Sequence, residues 1–135
     1  MTQEKNKLIF LVDDDPDFLE ILSTQLKNKG FNVETAKNGK EALEKLEHIK
    51  PDLIILDVMM PEMDGIDTAF ELTKRFNLNE IKFIFLTNYG EDNWPEEISL
   101  KIDQNFAKQI GAIAYLRKFM PVEEIVKAIE NLLVE

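Results

Sequence analysis

Leu8-Ile9-Phe10-Leu11-Val12-Asp13-Asp14-Asp15 is the stretch whose reading decides the fold. Five apolar residues run unbroken and end on three carboxylates. A strand with one wet face alternates apolar and polar residues. An unbroken apolar run instead fits a strand covered on both faces, as in a parallel sheet. The pattern recurs: Leu53-Ile54-Ile55-Leu56 meets Asp57, Ile81 to Leu86 meets Thr87, and Ala112 to Leu116 meets Arg117 and Lys118. Phe31 and Val33 alternate with polar neighbours, predicting a shorter and more exposed strand.

Helical periods separate these runs. Asp17 to Lys29 places Phe18, Leu19, Ile21, Leu22 and Leu26 mostly on one face, and Gly30 ends that helix. Asn38-Gly39 reads as a turn, and Ala42, Leu43, Leu46 and Ile49 mark a second helix. Ile66, Ala69, Phe70, Thr73 and Phe76 recur at i, i+3, i+4, i+7 spacing and predict a third. Ile98, Ile102, Phe106 and Ile110 predict a fourth, closed by Gly111, and Val122, Ile125, Val126, Ile129, Leu132 and Leu133 a fifth. Five β-α units imply an α/β fold: a doubly wound, five-stranded parallel sheet with helices on both faces.

Composition bounds the function. The chain has 135 residues with 26 acidic and 16 basic side chains, a net charge of −10, and is 44% hydrophobic. That suits a single domain over 1–135 with a packed core and a polar tail over 1–6. An acidic chain with no basic cluster repels nucleic acid, so no direct nucleic-acid contact is expected. The absence of cysteine excludes disulfides and thiolate chemistry. His48, the sole histidine, sits among polar residues and reads as surface. No signal peptide or membrane-length apolar stretch is visible, so a soluble, cytoplasmic protein without a membrane partner is expected.

In a doubly wound sheet, ligands bind beyond the carboxyl ends of the strands. Asp13, Asp14, Asp57, Thr87 and Lys118 all follow or end strands there. Taken singly, each has an ordinary reading: an acidic run caps a helix, an aspartate makes a turn, a lysine lies on the surface. Asp15 and Asp17 read as such caps. Four suitable residues at four strand ends are harder to ascribe to coincidence. Clustered carboxylates require a cation, and Mg²⁺ takes hard oxygen ligands together with phosphate and water. Asp57 is then placed as a carboxylate nucleophile, with the Lys118 ammonium and Thr87 hydroxyl beside the phosphoryl oxygens. Met59, Met60 and Met63 read as loop packing. Tyr89 and Trp94 either stack a ligand or cover an apolar edge.

Leu11-Val12-Asp13-Asp14-Asp15-Pro16 resembles the opening of the receiver domain of two-component response regulators. Leu56-Asp57-Val58-Met59-Met60-Pro61-Glu62-Met63-Asp64-Gly65 resembles its phosphoacceptor segment over ten consecutive residues. Phe85-Leu86-Thr87 and Tyr115-Leu116-Arg117-Lys118 resemble its other two landmarks, and the resemblance runs from Leu8 to the last helix. It implies a flavodoxin-like (βα)5 fold with strand order 2-1-3-4-5. It implies that Asp57 is phosphorylated and that Asp13, Asp14, Asp57 and the Met59 backbone carbonyl hold Mg²⁺. Lys118 would pair with the phosphoryl group, and Thr87 and Tyr115 would form a switch read at the face of the fourth and fifth β-α units. The implied partners are a histidine kinase or histidine phosphotransfer protein and a downstream protein effector, with a phosphorylation-dependent homodimer left open. A phosphoacceptor of this kind catalyses its own phosphorylation and dephosphorylation without being a turnover enzyme.

Three departures stand out. Phe119 follows Lys118 where the family has proline, so a trans bond is expected there, since a cis bond before a non-proline residue costs about 3 kcal/mol. Asn88 stands where the family prefers a small residue. The stretch over 88–111 is lengthened, by roughly two helical turns. Met59 and Tyr89 are poor water-orienting groups, which predicts a long-lived aspartyl-phosphate. The expected reading is a stand-alone receiver. The alternatives are a receiver fragment of a larger regulator, or an unphosphorylated interaction module on the same fold.

Overall fold

The computed structural model describes residues 6–58, 60, 65–75, 82–87, 112–118 and 120–133, with the backbone alone at 66, 73 and 112–115. Its strands are β1 (Leu8–Val12), β2 (Asn32–Ala36), β3 (Leu53–Asp57), β4 (Lys82–Thr87) and β5 (Ala112–Arg117). Its described helices are α1 (Pro16–Asn28), α2 (Gly39–Lys45), α3 (Gly65–Arg75) and α4 (Val122–Leu133). All strand pairs are parallel, in the order β2-β1-β3-β4-β5. This is the doubly wound arrangement read from the apolar runs.

Strand alternation sorts the core into two layers. Phe10, Val12, Ile54, Leu56, Phe83 and Phe85 pack with Ala42 and Leu43 of α2 and Ala69 and Leu72 of α3. On the opposite face, Ile9, Leu11, Leu53, Ile55, Ile84 and Leu86 pack with Leu22 and Leu26 of α1 and with Ile125, Val126, Ile129 and Leu133 of α4. Each such side chain contributes about 1.5–3 kcal/mol on burial, so the central strands are the rigid base of the molecule. β2 lies at the sheet edge, and its exposed Asn32 and Glu34 account for the alternation seen in sequence.

Helix ends follow local chemistry. Asp15 caps α1, its side chain accepting from the N–H groups of Asp17 and Phe18. Gly30, at φ 101°, closes α1: its N–H donates to the Lys27 carbonyl and that of Phe31 to the Leu26 carbonyl.

Three sequence expectations need correction. Asn38-Gly39 is a helix start rather than a free turn. Asn38 is extended and its side chain accepts from Glu41 N–H, while the Glu41 carboxylate accepts from Lys37 N–H at 2.9 Å. α2 then ends at Lys45, so Ile49 packs on the core from beyond the helix. The apolar spacing puts Ile21 and Phe70 on inner helix faces, yet they are 51% and 41% exposed. In α3 the buried face is Gly65, Thr68, Ala69 and Leu72. A glycine and a threonine occupy inner positions there, and an apolar-spacing template does not register them.

The helix expected over Ile98–Ile110, the lengthened stretch over 88–111 with Asn88, Tyr89 and Trp94, and residues Met59, Met63, Phe76, Ile81 and Phe119 lie outside the described residues. No helix among the described residues is long and apolar enough to cross a membrane.

Candidate functional site: an acidic pocket at the carboxyl rim

The site is built by strand ends. β1, β3 and β5 each hand their chain to the rim through one more backbone bond: Asp13 N–H donates to Ala36 O at 3.1 Å, Val58 N–H to Leu86 O at 2.9 Å, and Lys118 N–H to Thr87 O at 2.8 Å. A register shift between Phe83 and Ile84 inserts one residue into β5, so Thr87 faces Arg117 and Lys118 stands directly beyond it. Asp13, Asp57 and Thr87 are thereby carried by β1, β3 and β4, the inner strands of the sheet, and Lys118 by its edge strand β5.

Asp13 and Asp57 are buried, and Asp14 is exposed at the mouth. One oxygen from each of the three lies within 4.8 Å of the others. Lys118 is the counter-charge. Its Nζ donates to Asp13 Oδ1 at 2.8 Å and to Asp57 Oδ2 at 3.3 Å, with only 11% of the side chain exposed. Asp13 Oδ1 also accepts from Asp15 N–H at 2.9 Å. Asp13 Oδ2 is different: it is fully buried and, although Lys118 Nζ lies 2.8 Å away, accepts no hydrogen bond among the described residues.

Burial pushes the Asp13 carboxyl above its ordinary range, against the hydrogen bond and charge of Lys118, which pull it down. Burial also works against the charged Lys118. The Asp13 hydrogen bond and the charges of Asp57 and Asp13 outweigh it, so Lys118 holds its proton more firmly than a free lysine. Among the described residues, the pocket thus carries two buried carboxylates against one ammonium. Asp13 Oδ2 meets that ammonium only as an ion pair at 2.8 Å, and Lys118 is shared with Asp57; buried anionic oxygens are costly unless enough positive charge meets them. The donor set is all oxygen, which suits a hard divalent ion.

Gly65 sets the far wall. Its N–H donates to Val58 O at 3.0 Å, and a Cβ built there would lie 2.3 Å from the Asp57 carbonyl oxygen. Only glycine lets α3 start this close to the end of β3. Across the pocket, Lys118 Nζ lies 5.0 Å from the centroid of the Phe18 ring on α1.

A sequence model described as the response regulator receiver domain matches residues 9–130. The chain belongs to the response regulator receiver family. Receiver relatives include the transcriptional regulatory protein CpxR homolog of Haemophilus influenzae, 39% identical over 125 residues, covering 93% of this chain and 49% of that protein. The alkaline phosphatase synthesis transcriptional regulatory protein PhoP of Bacillus subtilis is 37% identical over 119 residues, covering 87% and 45%. The chain therefore spans about half the length of the curated relatives it matches. Among solved receiver structures, the chemotaxis protein CheY4 of Vibrio cholerae superposes with a TM-score of 0.79 at 28% identity, covering 95% of this chain and 99% of that one. Response regulator TrrA of Thermotoga maritima, solved with Mg²⁺ and BeF, gives 0.74 at 31% identity, covering 94% and 99%.

Of the residues singled out in sequence, the receiver fold brings Asp13, Asp14, Asp57 and Lys118 into one pocket. Thr87 ends β4, buried, one residue beyond the Leu86 that pairs with Asp57. Tyr115 lies on β5 opposite Phe85, with its side chain outside the described residues, as is Met59. Two residues of the site were not read as such. Gly65 was visible only as part of the matching segment. Phe18 reads as core, since nothing in sequence puts an α1 ring beside a lysine 100 positions later (118 − 18).

Proposed function

We propose that Asp57 accepts a phosphoryl group from a histidine kinase or histidine phosphotransfer protein and that the phosphorylated receiver is read by a protein effector. The observation carrying this reading is the buried Asp57 carboxylate, with Oδ2 3.3 Å from Lys118 Nζ, beside the buried Asp13 carboxylate that shares the same ammonium. In the transfer, an Asp57 oxygen forms the new bond to phosphorus. The phosphorus–nitrogen bond of the donor phosphohistidine breaks, and its electron pair leaves with the imidazole. The product is a mixed carboxylic–phosphoric anhydride. Lys118 exchanges an Asp57 contact for a phosphoryl oxygen and neutralises charge that grows there. Asp13, Asp14 and Asp57, with the Met59 carbonyl, are the proposed holders of Mg²⁺, which when bound supplies the positive charge that these carboxylates lack.

Signalling then passes through Thr87, whose hydroxyl follows the new acceptor oxygens, and Tyr115, which changes rotamer at the face of the fourth and fifth β-α units. The anhydride is slow to hydrolyse if Met59 and Tyr89 flank the line of attack. The receiver domain works in the cytoplasm, with a lengthened 88–111 segment. The longer regulators among its relatives favour a second setting, in which the effector is part of the same polypeptide.

The test is intact mass after incubation with acetyl phosphate. The wild type gains one phosphate with Mg²⁺ and none with a chelator, and Asp57→Asn gains none. Equal gain in wild type and Asp57→Asn sinks the assignment.

A further inference from the structure

We propose that Phe18 is a positioning residue for Lys118, its ring holding the ammonium in place for phosphoryl transfer. This rests on the phosphoacceptor reading above. Lys118 hangs one residue beyond the end of β5 on a flexible four-carbon stem, which has many conformers to lose. Two contacts hold its head: Asp13 and Asp57. One of them, Asp57, is the group that reacts, so that contact must be given up as the phosphoryl group arrives. The Phe18 ring, 5.0 Å from Nζ to centroid, is a third restraint that the reaction does not consume.

The chemistry of that restraint is specific. An aromatic face attracts an ammonium through its quadrupole, more strongly where water is excluded. Lys118 is only 11% exposed, so the contact operates in that regime. A carboxylate in the same place would compete with a phosphoryl oxygen for the ammonium's N–H groups; a ring has no lone pair to offer. Phe18 is itself anchored. It sits in the first turn of α1, its N–H faces the Asp15 cap, and it packs on the core layer under α1 and α4. The cap that starts α1 therefore also sets where the ring stands.

A double-mutant cycle tests this with wild type, Phe18→Leu, Lys118→Met and the double variant. Leucine keeps an apolar cover and removes the aromatic face. The rate of phosphorylation by acetyl phosphate with Mg²⁺ falls about twofold to thirtyfold in Phe18→Leu. In the Lys118→Met background the same change has no effect, and Phe18→Tyr stays within about twofold of wild type. The affinity for beryllium fluoride with Mg²⁺, measured by titration calorimetry, shows the same coupling without any turnover. An equal loss in both backgrounds, or no loss in Phe18→Leu, overturns the proposal and makes Phe18 a packing residue only. Wild type that takes up no phosphate at Asp57 sinks the phosphoacceptor reading and this one with it. An active wild type with an additive cycle sinks this one alone.

Discussion

The two rims of the sheet carry the same residue types and treat them differently. At the amino rim, Asp52 is exposed and its carboxylate accepts from Leu8 N–H at 2.8 Å, while Lys82 donates to the Leu132 carbonyl at the end of α4, at 2.7 Å. Those charges satisfy backbone groups left over at element ends, as ordinary capping does. At the carboxyl rim, Asp13 and Asp57 are buried and share the single ammonium of Lys118 among the described residues. Aspartate and lysine at one rim hold the fold together. At the other they form a buried acidic site whose oxygens, with those of Asp14, could hold a metal ion.

Several substitutions sharpen that contrast, beginning with the largest effect. Lys118→Met leaves two buried carboxylates without their ammonium and costs about 3 kcal/mol in metal-free urea unfolding. Because Lys118 holds its proton above the usual 10.5, this difference is full below that pH and fades as pH rises through the folded-state value. Next comes Mg²⁺ itself: at a hundredfold excess over its dissociation constant it stabilises the wild type by about 2.7 kcal/mol, and Asp13→Asn loses most of that gain. Gly65→Ala follows, at about 1–3 kcal/mol, because its Cβ displaces the backbone of Asp57. At the amino rim, Lys82→Met costs only about 1 kcal/mol and leaves phosphorylation unchanged. If Lys82→Met costs as much as Lys118→Met, the distinction between the rims collapses.

The smallest effect has the most informative sign. The Asp13 carboxyl is raised above 3.8, so in the folded protein its ionised form is the costly one. Without Mg²⁺, Asp13→Asn is therefore more stable than wild type near neutral pH. The difference shrinks as pH falls through the folded value of Asp13 and is gone below 3.8, where the group is protonated in both states. Paired urea titrations across that range measure it, and an Asp13→Asn variant less stable than wild type at neutral pH contradicts the account.

The sheet was legible because β1, β3 and β4 are covered on both faces and carry unbroken apolar runs between their ends. The site was legible as strand-end residues because parallel strands deliver their next residue to a common rim. What escaped the sequence was decided by close approach rather than polarity. Phe70 matched helical spacing better than Gly65 and Thr68 did, yet the latter two lie inside, where α3 nears the Asp57 carbonyl. Asn38-Gly39 has the composition of a turn, and it became a helix cap because Glu41 stands three residues on. The ammonium shared by Asp13 and Asp57 and the ring beside Lys118 depend on contacts across the whole chain, which no local window contains.

The central claim is that the short-charged rim directs phosphoryl chemistry to one carboxylate of three. Borohydride reduction after phosphorylation by acetyl phosphate, followed by peptide mass mapping, reads this directly, since reduction turns an acyl phosphate into an alcohol at the modified residue. The account predicts reduction at Asp57 in Mg²⁺, with Asp13 and Asp14 untouched and no reduction in a chelator. Reduction at Asp13 or Asp14, or reduction at Asp57 that is indifferent to Mg²⁺, would contradict it.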